Sequence, residues 1–251
     1  VFFILMPPPA ASILIFQYGL LGVLYGLLFK NKISSGKTLA TGMLYAGVSA
    51  FLYLVLNYFA GNNLFVLGEE GRIAFEQSMA AYRDMGAYNG IPSELQGEIS
   101  ESLISALELL IPGQYIVNSA ALAAITYFFA RAWLQRLKYS LAPGLAFTMI
   151  SLPWYTIWGP IAGLALTLAG DNFSWVLAAK TGKNILFILF WLYIAMGLSV
   201  ALYYLQKINV IWVVKLIFLI FALAYLPFSM VALILLGLVD PLVNFRRLPP
   251  Q

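Results

Sequence analysis

Residues 61–112 read GNNLFVLGEEGRIAFEQSMAAYRDMGAYNGIPSELQGEISESLISALELLIP, and this stretch decides the fold by its contrast with what surrounds it. It carries eight carboxylates, Glu69, Glu70, Glu76, Asp84, Glu94, Glu98, Glu101 and Glu108, of the ten in the whole chain. Only Asp171 and Asp240 lie elsewhere. On either side run long, almost unbroken apolar segments. A polytopic membrane protein with one sizeable extramembrane element is the reading that accommodates both.

Composition supports that class. The chain is 62% hydrophobic and 10% charged, far from the roughly 25% charged residues of soluble domains. Runs such as Ile185 to Leu205 and Val210 to Leu238 reach the roughly 20 apolar residues that cross a bilayer. They lack strand-like alternation, so helices are the way to satisfy their backbone in lipid. A net charge of +4 is read as basic cytoplasmic loops rather than nucleic-acid affinity. The absence of Cys and His removes disulfides, thiolate nucleophiles, haem and the usual zinc sites, and no cofactor or metal is expected.

The expected fold is all-α, a transmembrane bundle of about six complete spans. Residues 1–6 read as the tail of a further, truncated helix ended by Pro7, Pro8 and Pro9. Residues 1–60 hold the N-terminal spans, 61–112 the acidic helical segment, and 113–251 the C-terminal spans. Spans are expected at Ala10 to Phe29, Thr38 to Phe59 and Gln114 to Leu137. A short one lies within Leu141 to Ala169, a region divided by Pro143, Pro153 and Pro160. The last two are Lys183 to Leu205 and Val210 to Leu238, the latter kinked by Pro227, which removes a backbone donor.

Within the acidic segment, Phe75, Met79 and Tyr82 fall on one face of a first amphipathic helix. Leu95, Ile99, Leu103, Ala106 and Leu110 fall on one face of a second, closed by Pro112-Gly113. The basic residues Lys30, Lys32, Lys37, Arg131, Arg136, Lys138 and Lys207 agree by parity on a cytoplasmic side. Residues 61–112 are then extracytoplasmic. The same parity leaves Arg246 and Arg247 on the wrong side, unless the last run re-enters at Pro227 or Leu141 to Ala169 does not cross.

Few motifs point to chemistry. Ser35-Gly36-Lys37-Thr38 ends like a phosphate-binding loop, but Asn31 stands where the first Gly is required and a helix precedes it. The acidic carboxylates read as a solvated helix face, so no catalytic residue is assigned and the protein is read as a non-enzyme. Lys215 reads as a cation snorkelling near a helix end. Gly19, Gly22, Gly26, Ala120 and Ala124, with Ala46, Ala50, Gly159 and Gly163, are small residues suited to close helix packing or to a partner's docking face. Trp154, Trp158, Lys183, Asn184 and Tyr193 gather aromatic and polar groups near helix ends. There Lys183 and Asn184, beginning a helix, offer free amides to a polar or anionic small molecule.

The order of features resembles the YybS-like family of predicted bacterial membrane proteins, which carries an unknown-function label. The matching pieces are Phe16-Gln-Tyr-Gly-Leu-Leu-Gly22, Ser35-Gly-Lys-Thr38, the acidic insertion closed by Leu110-Ile-Pro112, and the end from Arg131 to Leu137. They continue with Leu152-Pro-Trp154, Asn184-Ile-Leu, Met196-Gly-Leu198, Leu236-Gly-Leu-Val-Asp240 and Asn244-Phe-Arg-Arg247. That family is similar to the substrate-capture (S) components of energy-coupling factor (ECF) vitamin transporters. The resemblance implies a multi-pass protein of the bacterial cytoplasmic (inner) membrane that binds a small molecule and docks on a transmembrane coupling protein driven by ATPases. It also implies further helices before Val1. The alternative is a non-catalytic structural or scaffold subunit of a larger membrane assembly.

Overall fold

A computed structural model describes residues 14–86, 90–208 and 211–248, and every regular element among them is helical. A π-helical stretch, Leu14–Gly19, leads into α1 (Leu20–Lys30), followed by α2 (Ser35–Phe59), α3 (Glu69–Asp84) and α4 (Ser93–Arg136). Two 3-10 turns, Phe147–Met149 and Trp154–Ile157, precede α5 (Trp158–Asn172), α6 (Val176–Lys207), α7 (Trp212–Ala224) and α8 (Leu226–Val243). The expectations for residues 1–6, for Pro7 to Pro9 and for a helix start at Ala10 lie outside the described residues.

Among the described residues, four helical stretches are long and apolar enough to cross a membrane: Ser35–Phe59, Leu95–Arg136, Val176–Lys207 and Leu226–Val243. Helices of this kind bring the chain into contact with the lipid bilayer. Of the six spans expected, Ala10 to Phe29 begins outside the described residues, and the Leu141 to Ala169 region falls short by helix length. Pro143 and Pro153 keep the chain upstream of α5 out of the helical state, which leaves that region a helix of only 15 residues.

Two proline expectations are corrected. Pro112-Gly113 does not end the second amphipathic helix: α4 runs unbroken for 44 residues with Pro112 inside it. Opening the chain there would free several backbone groups next to lipid, whereas the proline forfeits a single hydrogen bond. One helix therefore serves both as the acidic segment and as a span, which takes only about 20 residues. The run Val210 to Leu238 is likewise not one kinked span. It divides at Tyr225 (φ −109°, ψ 45°), and Pro227 sits in the first turn of α8, where its missing N–H costs nothing.

The chain forms two compact units, one of Val1–Gly22 with Met43–Ala123, the other of Val23–Gly42 with Ala124–Gln251. In the first, Ala46, Ala50 and Leu54 form a buried stripe on α2, and the buried Gln17 side-chain amide donates to Ser119 Oγ at 2.8 Å. The first amphipathic helix forms as expected, with Met79 buried. Glu108 ties it to α4, accepting from the Leu67 amide at 3.1 Å and from Arg72 at 3.3 Å.

In the second unit, Tyr25, Phe29 and Tyr127 form an aromatic cluster with ring centroids 5.6 to 6.0 Å apart. Its core is α6, with α5 on it antiparallel and α8 on it parallel. Gly159 faces Leu189, Gly163 faces Leu186 and Gly170 faces Ala179, so numbers fall along α6 as they rise along α5. Against α8 they rise together: Gly197 meets Gly237, where a Cβ would lie 2.8 Å from the Gly197 nitrogen, and Tyr204 reaches Phe245. Backbones this close require glycine on both sides.

Candidate functional site

Between α4 and α5 the chain runs mostly without helical hydrogen bonds, so its carbonyls need partners supplied by side chains. α6 provides two. Tyr193 Oη donates to the Thr156 carbonyl at 2.9 Å, and the fully buried Ser199 Oγ donates to the Phe147 carbonyl at 2.7 Å. Phe147 pairs with Ser199 and Thr156 with Tyr193, in the sense that α5 then continues. The extended stretch and α5 thus form one interrupted path along α6.

Two arginines hold the rest of this path. Arg246 Nη1 donates to the Thr148 carbonyl at 2.7 Å and to Ser199 Oγ at 2.8 Å. Its Nη2 donates to the Ile150 carbonyl at 2.8 Å and to Asp240 Oδ2 at 2.6 Å. The ion pair is almost wholly buried, with side chains 1% and 5% exposed. Arg246 Nε and Asp240 Oδ1 have no partner among the described residues. Arg131 clamps the start of the path, donating to the Ala142 carbonyl at 2.7 Å and to Ser35 Oγ at 2.9 Å, while Ser35 donates to the Pro143 carbonyl at 2.7 Å. Only a guanidinium offers this many donors in a fixed plane.

Asn244 delivers Arg246 to its place. It ends α8 in the left-handed conformation (φ 49°, ψ 58°) that asparagine tolerates. Its side chain then closes the turn, donating to the Leu248 carbonyl and accepting from the Leu248 amide, both at 2.9 Å.

The residues singled out from the sequence fall into separate places. Tyr193 is buried beside the turn that begins at Trp154, and Trp154 and Trp158 are exposed at that turn. Lys183 and Asn184 lie about 14 Å farther up α6 at 1.5 Å per residue. Lys183 pairs there with Asp171 at 3.0 Å. They do not begin a helix: α6 starts at Val176, so Lys183 and Asn184 lie inside it and do not offer the free amides of a helix start. Inside the helix Gly182 lets α5 approach, a Cβ there meeting the Thr167 nitrogen at 2.6 Å. Asn184 donates to the Lys180 carbonyl at 2.8 Å.

The small-residue positions divide as well. Gly19, Gly22 and Gly26 are exposed, with nothing within 4 Å of a Cβ at Gly22 or Gly26. Ala120 and Ala124 are half-buried. Ser35-Gly36-Lys37-Thr38 forms the first turn of α2, and its serine belongs to the Arg131 clamp. Among the described residues no cluster of three carboxylates could hold a metal.

Sequence reasoning missed Asp240, Arg246, Ser199 and Asn244. A signal existed: Asp240 and Arg246 are the acid and base nearest the end of the last apolar run, six residues apart. That spacing pairs them only if the helix stops between them, and Asn244 is a residue type suited to stopping it.

The chain belongs to the family described as "Predicted membrane protein (DUF2232)", whose model matches residues 1–241. No curated protein and no solved structure matches it.

Proposed function

We propose that this chain is a small-molecule-binding, transport-associated subunit of the bacterial cytoplasmic (inner) membrane, resembling an ECF-type substrate-capture component. The observation that carries this reading is the interrupted path on α6. Non-helical backbone at membrane depth is tolerated where protein or a water-filled cavity lines it, and broken helices of this kind build the substrate sites of transporters. Here the break ends at Pro153, beside buried Tyr193, with the rings of Trp154 and Trp158 exposed at the turn. A solute held there would meet aromatic walls and the first amides of the turn.

Topology fits the same reading. Parallel packing of α6 and α8 supports a return crossing through α7, so the last run crosses twice and Arg247 joins Lys207 on the cytoplasmic side. The parity conflict at Arg246 and Arg247 then disappears. With α1, α2, α4, the interrupted path and α6, this adds one crossing to the six expected and keeps residues 61–112 extracytoplasmic.

The test is purification of the full-length natural protein in mild detergent, with mass spectrometry of the proteins and small molecules that accompany it. A stoichiometric metabolite, lost on Tyr193→Phe or Trp158→Ala, or an ATPase pair with a transmembrane coupling protein, is expected. Recovery with another assembly and no metabolite would sink the reading. It would leave the alternative, a non-catalytic structural or scaffold subunit, which the open Gly22 and Gly26 face specifically favours.

A further inference from the structure

A groove of about 380 Å³ opens between α6, α7 and α8, within the second unit. Its walls are apolar, from residues such as Val200, Ala201, Ile208, Phe218 and Leu236, and one cation, Lys215, lies among them. The volume is in the range of sites that hold small molecules. Lys215 is the informative residue. Along Trp212–Ala224 every residue is exposed except Lys215 and Ala222, and Lys215 lines the groove together with Val214 and Phe218.

The groove surface is almost wholly apolar, so the methylene stem of Lys215 lines it, as expected of a snorkelling lysine that carries its ammonium away from apolar surroundings. Among the described residues Lys215 makes no ion pair: the three salt bridges use Arg72, Lys183 and Arg246. The one other polar group on the groove, the Tyr204 hydroxyl, donates to the Phe245 carbonyl at 2.9 Å. A cation whose stem lies along an apolar groove of a membrane bundle suits an anion attached to something apolar. A second cation, the exposed Lys207, ends α6 one residue before groove-lining Ile208.

We infer that this groove binds one acyl chain of an anionic phospholipid, with the headgroup phosphate held by Lys215. The apolar walls of α6, α7 and α8 take the chain, and the ammonium takes the charge. Lys207 adds attraction at the same end of α6 without lining the groove. The site is separate from the break beside Tyr193, and either stands without the other.

The test uses the full chain in detergent, titrated with phosphatidylglycerol or with phosphatidylcholine of the same acyl chains, and read by native mass spectrometry. The wild type should retain one phosphatidylglycerol at least about fivefold better than phosphatidylcholine, the factor that one lysine near a lipid phosphate supplies. Lys215→Gln should abolish that preference, Lys215→Arg should keep it, and Lys207→Gln should leave most of it. Ala201→Phe, which fills the groove, should reduce retention of both lipids. Equal retention of the two lipids by the wild type would overturn the proposal, as would an unchanged preference in a monodisperse Lys215→Gln protein. Displacement of phosphatidylglycerol by excess inorganic phosphate would assign the site to a free anion instead. A dimer that excludes lipid would assign the groove to a second copy of the chain.

Discussion

Two arginine–carboxylate pairs in this protein look alike on paper and differ in every physical respect. Arg72 and Glu108, in the acidic segment, meet at 3.3 Å with side chains 55% and 21% exposed. Arg246 and Asp240, at the end of α8, meet at 2.6 Å and are almost completely buried. Water competes for the first pair, so its charges gain little by meeting. The second is cut off from water, so each charge depends on its partner and on the Thr148, Ile150 and Ser199 oxygens. The comparison separates a surface contact that decorates a helix from a buried one that holds non-helical chain in place.

The sharpest way to break the comparison is to remove each arginine. Arg246→Ala should destabilise the protein by about 3–5 kcal/mol, because it strands a buried carboxylate and two carbonyls. Thermal unfolding in detergent would register it, and Arg246→Lys should rescue little, since one ammonium cannot reproduce the planar set of donors. A change below about 1 kcal/mol on Arg246→Ala would refute the role assigned to the clamp.

A smaller effect tests whether the clamp depends on the glycine seam beneath it. Gly237→Ala forces a Cβ into the Tyr193 carbonyl, and overpacking of this kind costs about 1–3 kcal/mol. Gly22→Ala, with nothing within 4 Å, should leave thermal stability unchanged; if the scaffold reading holds, it should instead weaken recovery of a partner in pull-downs. Ser199→Ala and Tyr193→Phe each delete a hydrogen bond to the interrupted path and should cost about 1 kcal/mol. Their combined effect, followed by limited proteolysis between Leu141 and Pro153, would show whether the path loosens as a unit.

The smallest effect belongs to the surface pair. Arg72→Ala should change stability by no more than about 0.5 kcal/mol, and that change should shrink further as salt is raised. A large, salt-independent loss would mean that the acidic segment depends on this contact as the last helix depends on its own.

Much of the helical architecture was legible in the chain. Apolar length marked α2, α6 and the membrane part of α4, and periodicity marked Phe75, Met79 and the first amphipathic helix. Proline was the unreliable signal. Pro112 and Pro227 have the same chemistry, but one lies inside a continuous helix and the other in the first turn of a new one. What a lost donor costs depends on what the rest of the helix contacts. Of the candidate site, the aromatic rings at Trp154, Trp158 and Tyr193 were visible as residues, whereas their separation from Lys183 and Asn184 along α6 was not.

By itself, the sequence determined that this is a helical protein of the membrane with an acidic segment, because long apolar runs without strand-like alternation can satisfy their backbone hydrogen bonds in lipid only as helices. Only the tertiary structure decided that α8 runs parallel to α6, that the last apolar run is two helices, and that Asp240 and Arg246 close over the interrupted path. Those outcomes depend on which glycines meet and which carbonyls lack partners. Such contacts join residues tens of positions apart, and no local pattern records them.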